Sequence, residues 1–119
     1  MKQKQATSMD DNALIEKYVD AASEYGIALE AGRSREANKQ AEVLTVIHDE
    51  LRARGQTSLS ALVDLLNHPN DGVRLWAGCH VMEFDPEKGE KALEALAPKQ
   101  KSFVALSAHF LLEERRRKQ

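Results

Sequence analysis

Ala61-Leu62-Val63-Asp64-Leu65, with Leu75-Trp76-Ala77 and Glu83 behind it, returns as Ala92-Leu93-Glu94-Ala95-Leu96 with Leu106-Ser107-Ala108 and Glu114, every identical pair 31 residues apart. Val73 and Val81 are matched at the same spacing by Val104 and Leu112. A period of this order carried by helical spacing marks stacked helical hairpins, because one such unit cannot bury its apolar face alone. The second helix of each unit carries an i, i+4, i+8 triplet: Val73/Ala77/Val81, Val104/Ala108/Leu112 and, upstream, Val43/Ile47/Leu51. The chain therefore reads as three hairpins, about the smallest number at which such a stack is stable.

Upstream of this stretch, Leu14, Tyr18, Ala21, Tyr25 and Ala28 form one helical stripe, widened by Ile15, Ala22 and Leu29. Thr7, Ser8 and Asp10 compete for its N-cap, and Gly32 ends it. A second helix starts at Arg33 or Ser34 and lines Ala37, Ala41, Leu44, Ile47, His48 and Leu51 on one face until Gly55. The spacing predicts a short third helix over 58–66, capped by Thr57 and Ser58, then a turn at His68-Pro69-Asn70-Asp71-Gly72. The fourth helix, from about Asp71, is apolar nearly all round: Val73, Trp76, Ala77 and His80 on one side, Leu75, Gly78, Cys79 and Met82 on the other. A helix without a polar face is buried on both sides, which puts it in the middle of the stack. Asp85-Pro86, an N-cap followed by proline at the first helical position, opens a fifth helix that Pro98 closes. A sixth spans about Lys101 to Arg116. The acidic first helix and the charged run Glu113 to Lys118 read as the polar ends of the stack.

With 119 residues there is room for one domain, expected over 10–117 with residues 1–9 frayed. Lys and Arg number 17 against 19 Asp and Glu, so the basic excess of a compact nucleic-acid binder is missing. The single cysteine, Cys79, cannot form an intramolecular disulfide and fits a reducing compartment. There is no apolar run of signal-peptide or membrane-spanning length, so the expected location is cytoplasmic.

The run Asn70-Asp71-Gly72-Val73-Arg74-Leu75-Trp76-Ala77-Gly78, followed by Phe84-Asp85-Pro86-Glu87 and Leu93-Glu94-Ala95-Leu96, resembles a short HEAT-like repeat. In that pattern a loop aspartate precedes a Val-Arg pair, and an Asp-Pro turn opens the next unit. From Leu14 to Leu112 the chain resembles the bacterial domain-of-unknown-function family numbered two thousand and nineteen. The matching residues are Ala37-Asn38, Leu51-Arg52-Ala53-Arg54-Gly55 and the block from His68-Pro69 to Ala77. The resemblance implies an all-α fold, an α-α superhelix of the HEAT/armadillo kind with three hairpins and about six helices, and it brings no activity. It also implies that Arg74 supports its turn by bonding Asp71 or Asp85, which together with Asn38 make the expected structural polar set. Gly78 sits where the pattern prefers alanine. Glycine there costs up to ~1 kcal/mol of helix propensity and implies a close helix–helix approach.

Catalytic patterns are absent: there is no GxGxxG, Walker loop, HExxH or CxxC. His48-Asp49-Glu50 supplies a single His-Glu pair where iron sites on HEAT-like enzymes need several that converge. Cys79 and His80 point about 100° apart on a helix, and His109 merely falls in the repeat register of His48. No catalytic residue, metal or cofactor is therefore expected. Trp76, with Leu75, Cys79 and Met82, is the candidate partner-binding group, against a plainer reading of Trp76 as core beside Val73 and His80. The tail Arg115 to Lys118 reads as a solvated helix end where cations meet the negative pole of the macrodipole.

These readings converge on a non-catalytic protein-interaction module, a monomer or weak homodimer with a protein partner and neither membrane nor nucleic acid. The inner faces of the second, fourth and sixth helices would form its concave surface. One alternative is an immunity or antitoxin-type protein binding a bacterial toxin. Another class is a HEAT-like nucleic-acid binder or DNA glycosylase relative, which would need a basic groove with a carboxylate and stacking aromatics.

Overall fold

Four of the helices begin where a short polar side chain takes up an orphan backbone N–H. Asp10 accepts from Ala13 at 2.8 Å, Asn70 from Val73 at 3.1 Å, Asp85 from Lys88 at 3.4 Å and Ser102 from Ala105 at 3.1 Å. The computed structural model describes residues 1–99 and 102–118. In chain order these hold α1 (Gln3–Thr7), α2 (Asp11–Glu30), α3 (Ser34–Arg54), α4 (Gln56–Asp64, continued by a 3-10 turn at Leu65–Asn67), α5 (Asp71–Val81), α6 (Pro86–Leu96) and α7 (Phe103–Arg117). The fold is all-α, and α2/α3, α4/α5 and α6/α7 make three helical hairpins. The expected start of the last helix at Lys101 lies outside the described residues.

Helix α5 sits where its apolar circumference requires, packed against α2, α4, α6 and α7. Its Val73, Ala77 and Val81 face joins Leu14, Tyr18, Leu44, Ile47, Leu51 and Leu62 in the larger core. On the opposite side Leu75 joins Leu93, Leu96, Val104, Ala108 and Leu112 in a smaller one. Burying both faces removes the helix from solvent almost entirely, the outcome its lack of a polar face demands.

The arrangement departs from a stack with only nearest-neighbour contacts. α2 reaches past its own hairpin to pack on α5 and α7, covering the surface that a concave inner face would have left open. Two glycines permit the approach: a Cβ on Gly72 would lie 2.4 Å from the Ala22 carbonyl oxygen and 3.3 Å from the Cα of Gly26. At the far end of α2, Glu30 accepts the Val104 N–H at 2.8 Å and the Ser102 hydroxyl at 3.1 Å, so the first hairpin caps the last. Burial raises the Glu30 pKa, but the N–H groups of Val104 and Phe103 and the Ser102 hydroxyl outweigh it and hold the carboxyl below its ordinary value.

The N-terminal segment also differs from expectation. Residues 3–7 form α1 rather than a frayed end, with Ala6 fully buried. The cause is Arg54, whose guanidinium donates to Glu50 at 2.7 Å, to Asp11 at 2.8 Å and to the carbonyls of Ala6 and Met9 at 3.1 and 2.5 Å. The Gln3 amide and the Thr7 hydroxyl donate to the same Glu50 carboxylate from the α1 side. Ser58 likewise serves the tertiary fold instead of capping α4, donating to Asp11 at 2.6 Å. Gly55, at φ 118°, lets α3 end and α4 begin at a single residue.

Candidate functional site

A groove of ≈ 320 Å³ opens where α2, α5 and α7 meet. Helix α5 supplies Leu75, Trp76 and Cys79, which helical spacing places on neighbouring rows, while α2 adds Tyr25 and α7 adds Ser107, Phe110 and Leu111. The Tyr25 and Trp76 rings meet edge to face, 5.1 Å between centroids at 87°. The Trp76 indole N–H is buried and has no acceptor. Phe110 stands 61% exposed at the lip. Burial, aided by the Glu83 charge, pushes the Cys79 thiol pKa up, so this cysteine stays protonated and serves as a small apolar wall.

Behind the groove lies a buried aromatic cluster. His48 and His80 stack at 4.0 Å with planes 16° apart, and a 2.8 Å hydrogen bond joins His80 Nδ1 to the Tyr18 hydroxyl. His48 Nε2 lies 2.9 Å from the Glu83 carboxylate, which sits off the N–H direction, so the contact is electrostatic rather than a directed hydrogen bond. Burial and then the neighbouring His48 lower the His80 pKa to about 3. Burial likewise raises the Tyr18 pKa well above its ordinary value, with Cys79 and Glu83 adding to the shift. Because the rings meet by their faces, their in-plane nitrogens do not converge on a common atom. Among the described residues no three His, Cys, Asp or Glu side chains are placed to hold a metal ion.

Of the residues singled out from sequence, Leu75, Trp76 and Cys79 come together in the groove. Trp76 is half-buried, so it is both the edge of the larger core and a wall of the groove. Met82 lies elsewhere, at the α5/α6 turn, where its backbone runs 2.6 Å from the position a Gly89 Cβ would take. Arg74 pairs with Asp71, as the repeat pattern implies, and Lys99 reaches the same carboxylate at 2.8 Å. Asp85 instead caps α6. Asn38, expected as a structural polar group, is exposed on α3. Gly78 permits only a moderate approach, its virtual Cβ 3.0 Å from the flexible end of Leu93. Tyr25, Ser107, Phe110 and Leu111 were not legible as site residues, because they reach the groove from helices distant in sequence.

The basic tail is largely spoken for. Arg115 pairs with Glu90 at 2.5 Å, Arg116 with Glu94 at 3.5 Å and Lys118 with Glu114 at 3.6 Å. Lys101, which could have extended this patch, lies outside the described residues. With Arg115 and Arg116 paired to α6 carboxylates and Lys118 to Glu114 of its own helix, the tail has less charge to offer a phosphate backbone. Fluorescence anisotropy with single- and double-stranded oligonucleotides should therefore show no binding tighter than about 100 μM at moderate salt. Micromolar binding that collapses with salt and with alanines at 115–118 would reverse this expectation.

Among the described residues no helix is long and apolar enough to cross a membrane. The comparison with curated proteins gives no match. The chain is similar to the protein RPA1889 from Rhodopseudomonas palustris CGA009, known from a crystal structure. The two are 30% identical with a TM-score of 0.81, over 90% of this chain and 88% of that one. Residues 12–115, nearly the whole helical body from α2 into α7, match the family model described as domain of unknown function DUF2019, and the chain belongs to that family.

Proposed function

We propose that the protein is a non-catalytic protein-binding module whose groove takes an apolar side chain or short apolar segment of a protein partner. The observation that carries this reading is the groove itself. It is an open, aromatic concavity beside Trp76, lined by no ionisable carboxylate, imidazole or amine. Tryptophan and tyrosine in a partly desolvated pocket are the usual anchors of protein interfaces. The acceptor-less indole N–H adds a donor that a partner carbonyl could take up after a small ring movement. A base-flipping enzyme would need a carboxylate converging on the stacked base, and the groove lining supplies none.

The test uses a photo-crosslinking amino acid at Ser107, inside the groove, and at exposed Thr45 on α3 as control. Irradiation in the source cell should yield a discrete protein adduct from position 107 and none from 45. An excess of unlabelled wild-type chain should suppress that adduct, whereas Ser107→Trp, which fills the groove, should fail to compete while keeping its melting temperature within a few degrees. Because Trp76 is the only tryptophan, its emission should shift when the purified partner is added. Adducts that form equally at both positions, or only with nucleic acid, would sink the reading.

A further inference from the structure

A second concavity, of ≈ 590 Å³, runs between α4 and α6 and shares no residue with the aromatic groove. Val63 on α4 and Leu66 in the turn that continues it give one apolar side, and Ala92 and Ala95 on α6 give the other. On α6 the lining residues Lys88, Lys91, Ala92 and Ala95 fall at i, i+3, i+4 and i+7, so one face of that helix follows the trough for two turns, about 10 Å. Charge sets this trough apart. Among the described residues its ionisable lining is Arg74, Lys88 and Lys91, three cations and no carboxylate, in a chain whose acids outnumber its bases 19 to 17. The two lysines are lightly held. Lys88 lies 3.7 Å from Asp85, whose carboxylate already caps α6, and Lys91 lies 3.5 Å from Glu87. Their side chains are 60% and 74% exposed, where such intrahelical pairs contribute little and yield readily to another anion. Arg74 gives one nitrogen to Asp71, while its buried Nε has no acceptor.

We infer that this trough docks an acidic segment of a protein partner, with apolar side chains laid against Val63, Leu66, Ala92 and Ala95 and carboxylates one helical turn apart against Lys88 and Lys91. Charge complementarity selects the occupant. The apolar sides give nothing to a phosphate backbone, and no aromatic ring lines the trough on which a base could stack. A bilayer takes up a protruding apolar face, whereas these apolar groups are recessed. A carboxylate-bearing peptide satisfies both features at once, the cations at the rim and the apolar surface below them. Because the two concavities have no residue in common, this site stands or falls separately from the aromatic groove.

The test selects random peptides of about 12 residues, displayed on phage, on the wild-type chain and counter-selects them on a chain carrying Lys88→Glu with Lys91→Glu. Both positions are exposed, and residue 88 lies in the first turn of α6, where an acid suits the helix dipole, so the variant should keep its helicity and melting temperature. Surviving peptides should combine net negative charge with apolar residues. By fluorescence anisotropy the charge-reversed chain should bind a surviving peptide at least about tenfold more weakly than wild type. Ala95→Trp, at an exposed position, fills the trough without altering charge and should weaken binding as much. Ser107→Trp should leave it unchanged. Replacing the peptide's acidic residues by lysine should restore binding to the charge-reversed chain. The proposal is overturned if no peptide survives counter-selection, if the survivors lack net negative charge, or if Ala95→Trp binds them as tightly as wild type. Poly-glutamate of equal length binding as tightly as a surviving peptide also overturns it, since charge alone would then account for the attraction.

Discussion

Gly72→Ala is expected to destabilise the protein by about 3 kcal/mol, the upper end of what overpacking ordinarily costs, and to lower its melting temperature by roughly 10 °C. The added methyl would sit 2.4 Å from the Ala22 carbonyl oxygen, inside any permissible contact, with the Gly26 backbone at 3.3 Å behind it. Neither obstacle is a side chain that can swing aside. Relief requires α2 to lift off α5, which would disturb the Tyr18–His80 hydrogen bond and the Tyr25–Trp76 contact together. Gly78→Ala, the same chemical change on the same helix, is the control. There the obstacle is the tip of Leu93 at 3.0 Å, and the gain in helix propensity of up to ~1 kcal/mol offsets the repacking. Thermal melts of the two variants settle the matter. A Gly72→Ala protein as stable as Gly78→Ala would mean that α2 and α5 do not approach as described.

The second large effect is acid lability. His80 carries a folded-state pKa of about 3 against an ordinary value of 6.5, so below pH 6.5 the unfolded chain takes up a proton that the folded chain refuses. Its contribution to stability is complete above pH 6.5 and is lost as pH falls through that window, at about 1.4 kcal/mol per pH unit. Urea unfolding at pH 7, 6, 5 and 4.5 should trace this slope. Near pH 4.5 the carboxylates held below their ordinary values, Asp11, Glu30, Glu50 and Asp71, begin to add a slope of their own in wild type and variant alike, so the difference between the two proteins is what reports His80. His80→Gln retains a group able to hydrogen-bond Tyr18 but has nothing to protonate. It should be less stable at pH 7 and far flatter between pH 6.5 and 4.5. An unchanged slope in His80→Gln would assign the acid sensitivity to another group.

How much of this was readable beforehand depends on the sequence distance over which each feature is decided. Helix positions and caps are local, and Asp10, Asp85-Pro86, Gly55 and the all-apolar face of α5 announced them. The hairpins followed from the 31-residue recurrence, which is a comparison of the chain with itself. The Gly26–Gly72 crossing joins residues with no periodic relation, whereas Gly78 is marked locally because it breaks a repeat pattern. His48 was readable as a residue on an apolar stripe, but its stacking partner His80 lies on another hairpin. α1 is too short to carry a periodic signal, and its order depends on Arg54, far along the chain. The groove was half legible for the same reason: its α5 wall was marked by Trp76, and the walls from α2 and α7 had no local mark.

The capping of α7 by Glu30 bears on how this fold can evolve. In an open solenoid each unit touches only its neighbours, so units are gained or lost with modest consequence and stability grows with copy number. Here the carboxylate at the end of α2, in the first hairpin, supplies the acceptor at the start of α7, in the third, across 74 residues of sequence. Inserting or deleting a hairpin would carry the start of α7 away from Glu30 and leave a buried N–H without an acceptor. The 31-residue recurrence gives the hairpins a common pattern, while the Glu30–Val104 bond ties the first of them to the third.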